Sequence, residues 1–485
     1  MSVPLGRLGL VPLAAVRRGL AVPNLSRTCS EPVPPCFARE EEPDVPADID
    51  VRSAPALRPF VNGQFRLLAA ALLCSLLSVG IWLVASVWQV IQLGGSASDL
   101  STVAAGASLG LVLAVLLGGV VADRVRQRWI LLAVELVRGL GYGVAALLAL
   151  TGRIQIWQLA VIAFVLGVAD GFFYPAYSAW LPALIDADEL LAANGIEGVL
   201  RPTIMQAAGP ALASVIIAVS SPGVAFLTVA MLQIGAVTVL AAMRSTPVRR
   251  KLDRARHPVV AAGIDLRDGF VYMVHTRWLL ATLLFAIVLV LVTMGPIEVL
   301  LPFAVKDQTG GGAGAFAVAL GAFGFGGAAG SLAVASIRPP RRYLTLMILA
   351  WGIGCAPLVI IGLTDRLWLM VVGLFVCGFL FSGAQVLWGT LLQRRVPPAM
   401  LGRVSSLDFF VSLALMPVSM AIAGPVGENV GLTPTFLVVG VFPTVLAVAT
   451  LLIARLRTDE LAHPLRSDES ASAAGVDLES IDDER

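Results

Sequence analysis

Twelve apolar stretches of about twenty residues recur between Arg66 and Arg457, and no other feature constrains the fold as strongly. Wound as a helix, a stretch of that length crosses a hydrocarbon core of about 30 Å. The stretches lie at 67–92, 99–122, 129–150, 157–179, 199–219, 223–243, 278–302, 314–336, 343–363, 367–391, 405–426 and 434–455. Membrane β-strands would be shorter and would alternate, so a barrel is excluded. Hydrophobic residues make up 58% of the chain and charged ones only 14%. A soluble core cannot hide that much apolar surface, and the excess faces lipid. The predicted fold class is an all-α integral membrane protein, with twelve transmembrane helices in two parallel-repeat six-helix halves.

The charges organise the spans. Residues 1–64 are rich in Pro and charge, with an acidic run at Glu40–Glu42, and are expected to form a disordered cytoplasmic tail. A secretory leader would need an unbroken apolar core, but Pro12 interrupts the first apolar stretch and Arg17 and Arg18 end it. The N-terminal half is expected at 65–244, a cytoplasmic central loop at 245–277, the C-terminal half at 278–457 and a second disordered cytoplasmic tail at 458–485. An amphipathic helix over Asp265–His275 would lie along the membrane in the central loop. Alternate loops carry Arg124, Arg126 and Arg128, a cluster from Arg244 to Arg256, then Arg338, Arg341, Arg342, Arg394, Arg395 and Arg403. The opposite loops carry only Arg153, Lys306 and Arg366, so both termini are placed in the cytoplasm. An even number of spans in each half points both halves the same way, as in parallel-repeat transporters. Lysine occurs only at Lys251 and Lys306; Arg has the GC-rich codons, so a GC-rich bacterial genome is the expected source, and for a multi-pass helical protein the cytoplasmic (inner) membrane is the expected location. A net charge of +2 gives no reason to expect nucleic acid. The five Cys are scattered, and His257, His275 and His463 fall in no metal-binding or nucleophile–base motif. No metal, cofactor or enzymatic activity is expected.

The turn after the second span reads Gly119-Val-Val-Ala-Asp123-Arg124-Val-Arg126-Gln-Arg128. It resembles the loop signature of the major facilitator superfamily: Gly, three residues, Asp-Arg, then further basic residues. The family usually has Gly where Arg126 stands. A carboxylate at Asp123 can accept from the free N–H groups that open another helix. The resemblance implies that this helix is span eleven, near Gly402 and Arg403. Gly119, Asp123, Arg124, Arg128, Gly402 and Arg403 would then form a conformational gate; the alternative is an ordinary basic turn with a capping Asp. Span five carries Gln206-Ala-Ala-Gly209-Pro210, which resembles the fifth-helix Gly-Pro motif of antiporters in this superfamily, although Ala213 and Ser214 occupy its later Gly positions. A common kinked membrane helix is the other reading. Phe173-Tyr-Pro175-Ala176, Leu181-Pro182, Ala193-Asn194 and Glu135-x-x-Arg138 resemble the bacterial branch that holds macrolide and enterobactin exporters. That branch often carries an acid early in helix one. The stretch Ser75–Gly80 has none, so any coupling role of that acid must lie elsewhere.

Charges within the spans each need a reason, because one costs a few kcal/mol in hydrocarbon. Asp170, Glu135, Arg138 and Glu298 are the candidates for proton coupling. Asp170 has the alternative of a structural pair with Arg138 or Arg201. Glu135 and Arg138, three apart on one helix face, can neutralise each other or join Glu197 and Arg201. Glu298 can be a solvated group near the outer end of span seven. Trp82, Gln89, Phe173 and Gln385 are cavity candidates on helices that line the family's cavity; Trp88 and Trp388 fit a lipid-interface belt at least as well. The run Gly321–Gly330 lacks the Lys-Ser/Thr ending of a phosphate loop and reads as helix packing.

These features lead to a secondary active transporter that exports small amphipathic molecules of drug or siderophore type by proton antiport. Its partners would be a small-molecule substrate, protons and the bilayer, and a monomer is expected. The rivals are an importer or lipid transporter on the same fold, and a non-transporting membrane scaffold.

Overall fold

The computed structural model describes residues 55–122, 124–185, 189–244, 267, 269–337 and 340–463. Twelve helices in it are long and apolar enough to span a membrane, and the described residues contain no strand. We label them α1 (Gly63–Gln92), α2 (Ala97–Val115), α3 (Gln127–Leu150), α4 (Ile156–Leu181), α5 (Ile196–Val219) and α6 (Pro222–Ala242). The rest are α7 (Arg277–Thr309), α8 (Ala313–Ser336), α9 (Tyr343–Leu363), α10 (Leu367–Arg395), α11 (Leu407–Val430) and α12 (Leu432–Ile453). The all-α, twelve-span expectation holds. Residues 1–54 and 464–485, with most of the central loop, lie outside the described residues; of Asp265–His275, residues 269–275 are helical.

The boundaries differ in three places, each for a local reason. Apolar character fades after Pro302, yet α7 runs on through Lys306 and Asp307 to Thr309. It stops where Gly310 takes a left-handed conformation (φ 66°) that ends helices readily. The helix that contains α5 begins before the span, at Leu190, since polar Asn194 and Glu197 do not break it. The helix that leads into α11 begins before the span, at Pro398, and is interrupted at Ala414 and Leu415 before Met416 resumes it.

The pairing of spans repeats. Helix α2 lies along α4, as α8 lies along α10; α3 packs on α6, as α9 on α12; α1 crosses α5, as α7 crosses α11. The two most extensive pairings between the first six spans and the last six, α2 with α11 and α5 with α8, also exchange when each number is raised by six. Four Gly with positive φ, Gly94, Gly152, Gly310 and Gly431, lie in links between spans at one end of the bundle. We call it the short-link end, and the opposite end, where α6 closes at Met243 and α8 at Ile337, the long-link end. In the run Gly321–Gly330, a Cβ added at Gly326 or Gly330 would lie 2.1 or 2.0 Å from the carbonyl oxygen of Phe375 or Phe379, so those glycines seat α8 against α10.

Candidate functional site

Four side chains from three helices meet inside the first six spans. Arg138 on α3 is almost wholly buried, and its guanidinium is shared. Nη1 donates to Ser75 Oγ of α1 at 2.8 Å and to Glu135 Oε1 at 3.3 Å. Nε donates to Asp170 Oδ1 of α4 at 2.9 Å, and Nη2 donates to the same oxygen. Ser75 Oγ in turn donates to Glu135 Oε1 at 2.9 Å. The Phe173 ring lies 4.6 Å from the guanidinium carbon and backs it from below. Glu135 Oε2 is buried with no hydrogen-bond partner among the described residues, beside a small void lined otherwise by Leu68, Ala71, Leu72, Leu131, Phe173, Tyr177 and Leu240.

The two acids are not equivalent. The Asp170 side chain is 42% exposed, against 2% for Glu135. Val161 and Val165 mark the outer stripe of α4. At about 100° per residue, Asp170 and Tyr174 lie on the opposite side. Tyr174 stacks on Phe409 of α11 with centroids 6.0 Å apart, so this face of α4 looks toward the last six spans. The repeat places a matching position on α10. A Cβ at Gly167 would sit 1.9 Å from the Ala107 oxygen and one at Gly378 2.1 Å from the Phe323 oxygen, which aligns the two helices. Tyr174 and Gln385 each follow their glycine by seven positions, and both are exposed. Gly389, one turn beyond Gln385, has open space where a side chain would point.

A second shared device lies where α1 crosses α5. A Cβ at Gly80 would lie 2.5 Å from the Met205 oxygen, and one at Gly209 would lie 2.7 Å from Gly80 Cα. Before the crossing, Arg201–Ala208 adopts the wider π pattern, and the Gly209 N–H reaches back five residues to Ile204 O. The α7–α11 crossing mirrors it. There Gly295 N–H donates to Ser419 Oγ at 2.8 Å, and the π segment, Pro296–Leu300, follows.

Most of the other sequence candidates find definite places. Gln206 packs against Gly324 of α8, in the contact between the two sets of six. Gln89 is buried in the last turn of α1, and Phe173 is buried beneath Arg138. Trp82 packs on Tyr142 and Phe226, 5.3 and 5.1 Å between centroids, within the first six spans. Arg128 is held on the closing carbonyls of α6, Leu240 O at 3.3 Å and Ala241 O at 2.6 Å, a capping role that local charge statistics do not reveal. Arg124 is exposed. Asp123 lies outside the described residues; Gly119 is in the helix Ala97–Ala122, and Gly402 and Arg403 are in the helix Pro398–Leu413. Glu298 is not at the outer end of its span, because α7 continues to Thr309; it is exposed and makes no hydrogen bond or ion pair among the described residues. Arg201 pairs with Glu197 at 2.5 Å and lies over Tyr174, apart from the Arg138 cluster.

Trp388 is no lipid-belt residue. It is buried, and its Nε1 donates to Asp408 at 3.1 Å. Trp88 stacks on Phe316 of α8 at 5.9 Å. Ser75 and Tyr174 belong to this candidate site, and Asp408 is the partner of Trp388; the sequence singled out none of the three. An internal-repeat alignment anchored on Gly167 and Gly378 would have drawn attention to Tyr174.

Residues 54–480 match a family described as transmembrane secretion effector, of major facilitator type. The chain belongs to this family. It is similar to macrolide efflux protein A of Streptococcus pyogenes, 22% identical over 71% of this chain and 84% of the relative. It is also similar to the multidrug efflux pump Tap of Mycolicibacterium fortuitum, 26% identical over 83% of this chain and 98% of the pump. Among solved structures, the nucleoside transporter NupG shares the fold with a TM-score of 0.62 at 14% identity, over 80% of this chain and 98% of that one. A POT family transporter in complex with 5-aminolevulinic acid gives 0.64 at 11%, over 80% and 96%. This facilitator is thus a multi-pass membrane transporter and not an enzyme.

Proposed function

We propose that the protein is a proton-coupled exporter of small amphipathic molecules. One observation carries the coupling: two carboxylates, Glu135 and Asp170, share the single guanidinium of Arg138. The cluster therefore holds one negative charge more than it can neutralise, at a depth where charge is costly. One proton balances it. Asp170 faces the space between the two sets of spans and is the point of entry. When Asp170 takes the proton, Arg138 and Glu135 remain as a neutral pair steadied by Ser75. When Asp170 gives it up, Arg138 already spans both acids and no side chain has to travel far. Ser75 stands in the stretch of α1 where the exporter branch often has its acid, and Glu135 of α3 brings an acid to that place.

The substrate would occupy the space between the halves, against Tyr174 of α4 and Gln385 of α10, an aromatic and an amide suited to large amphipathic molecules. The efflux relatives support export of drugs. The Lys/Arg distribution supports cytoplasmic termini in a bacterial inner membrane, with the short-link end outside. A single chain holds both halves of the site, so a monomer suffices.

The test uses sealed inside-out vesicles with an acid interior and a pH dye, to which macrolides and other amphipathic drugs are added. Drug-dependent proton release, lost in Asp170→Asn, is expected. Release that persists undiminished in Asp170→Asn would remove this site from the coupling, and no release with any compound would remove antiport.

A further inference from the structure

At the short-link end one carboxylate bridges the first six spans and the last six. Glu428, in the last turn of α11, reaches across to α2. Its Oε1 accepts from the Ser98 backbone N–H at 2.7 Å and its Oε2 from Ser98 Oγ at 2.6 Å. Ser98 is in the first turn of α2, where backbone N–H groups lack partners within the helix and the dipole favours an anion. One turn back, Gly424 presses against the same place: a Cβ there would lie 2.3 Å from the Ala97 oxygen. The Gly424 N–H donates to Ser101 Oγ at 2.7 Å. These three hydrogen bonds all run between the first six spans and the last six.

The molecule contains the same chemistry in a place where it cannot switch. Glu460 accepts from the Thr345 N–H at 3.0 Å and from Thr345 Oγ1 at 2.6 Å, in the first turn of α9. Glu460 is fully buried and ties the short helix Leu456–Ala462 to its own set of spans. Glu428 is exposed and ties together parts that an alternating-access cycle must separate. Water can replace its bonds when they break, so the contact is reversible at small cost.

We infer that Glu428 is a gating residue of the transport cycle: it locks the short-link end and releases Ser98 when that end opens. The inference rests on the alternating-access reading of the fold, but not on proton coupling or on any substrate. By the resemblance of the Gly119–Arg128 turn, Asp123 would serve the same helix pair at the opposite end, each acid capping the start of the other's helix.

The experiment measures the opening directly. In the full chain with Cys29, Cys36, Cys74, Cys355 and Cys377 replaced by Ser, spin labels are attached at Arg153→Cys and Asp365→Cys. Both positions are exposed in links at the short-link end, one in each set of spans. Pulsed-resonance distances are recorded in liposomes without substrate. Glu428→Ala is expected to raise the ratio of long to short distances about tenfold, within the usual range of coupling between two states. Ser98→Ala, which keeps the backbone donor, gives a smaller shift in the same direction. Gly424→Ala attacks the contact sterically and serves if Glu428→Ala folds poorly. Distance distributions that stay superimposable on the parent in both Glu428→Ala and Gly424→Ala overturn the inference. A lowered melting temperature without a distance shift also overturns it, since Glu428 would then be a brace. Proton release insensitive to Asp170→Asn would remove the coupling proposal and leave the lock standing.

Discussion

Arg138 is the residue on which the proposed coupling site turns, and its surroundings make distinct predictions for its neighbours. Removing the charge of either acid leaves a one-to-one pair, so Asp170→Asn and Glu135→Gln should each fold, keep substrate binding and lose drug-dependent proton release. Replacing both leaves a buried guanidinium without a counter-charge. The double variant should therefore melt well below either single one in detergent, a non-additive loss that a double-mutant cycle would measure. Arg138→Ala leaves two acids facing each other, and removing one partner of a buried pair costs about 3–5 kcal/mol. Arg138→Lys should recover little of this, because an ammonium cannot serve Asp170, Ser75 and Glu135 in one plane as the fork does. All three charged residues were legible as intramembrane charges, and the i, i+3 spacing joined Glu135 to Arg138. The link to Asp170, thirty-two residues away, was one of two open choices, because Arg201 offered an equal charge in the sequence. Only the packing of α3 on α4 decides between them.

At the scale of the helix, the crossings α1–α5 and α7–α11 are one design executed twice with different residues. The Gly209-Pro210 pair was visible in the sequence, but its partner Gly80 was not, since nothing local distinguishes that glycine from others in a span. The repeat was harder still to see: where one crossing puts Gly against Gly, the other puts Gly295 against Ser419 and adds a hydrogen bond. Both sit beside a π segment, an irregularity that hydropathy does not register. Gly209→Ala should be poorly tolerated, because its new methyl meets the backbone of Gly80 and not a movable side chain. Overpacking of this kind costs about 1–3 kcal/mol, readable as a fall in melting temperature. Ser419→Ala should cost about 1 kcal/mol through the lost bond to Gly295, without steric conflict. If Ser419→Ala proves the more damaging of the two, the crossings are not held by close approach.

For the whole molecule, sidedness in the membrane is a question that the charge distribution addresses most directly. The loops of the long-link end collect nearly all the arginine, while the described links of the short-link end carry Arg153 and Arg366. That bias argues for a cytoplasmic long-link end. The end where Glu428 meets Ser98 would then be the outer one, and the proposed lock would leave substrate to enter from the cytoplasmic side, a state that an exporter passes through. Single cysteines at Arg153, Asp365, Arg341 and Arg457, in the chain freed of its native cysteines, put this to a direct test, since all four positions are exposed. In intact cells a membrane-impermeant maleimide should label the first two and spare the last two. In inside-out vesicles the pattern should reverse. Labelling of Arg341→Cys and Arg457→Cys from outside the cell would place the Glu428 lock on the cytoplasmic face. The state seen here would then be closed toward the cytoplasm, and the charge distribution would no longer support the proposed cytoplasmic placement of the long-link end.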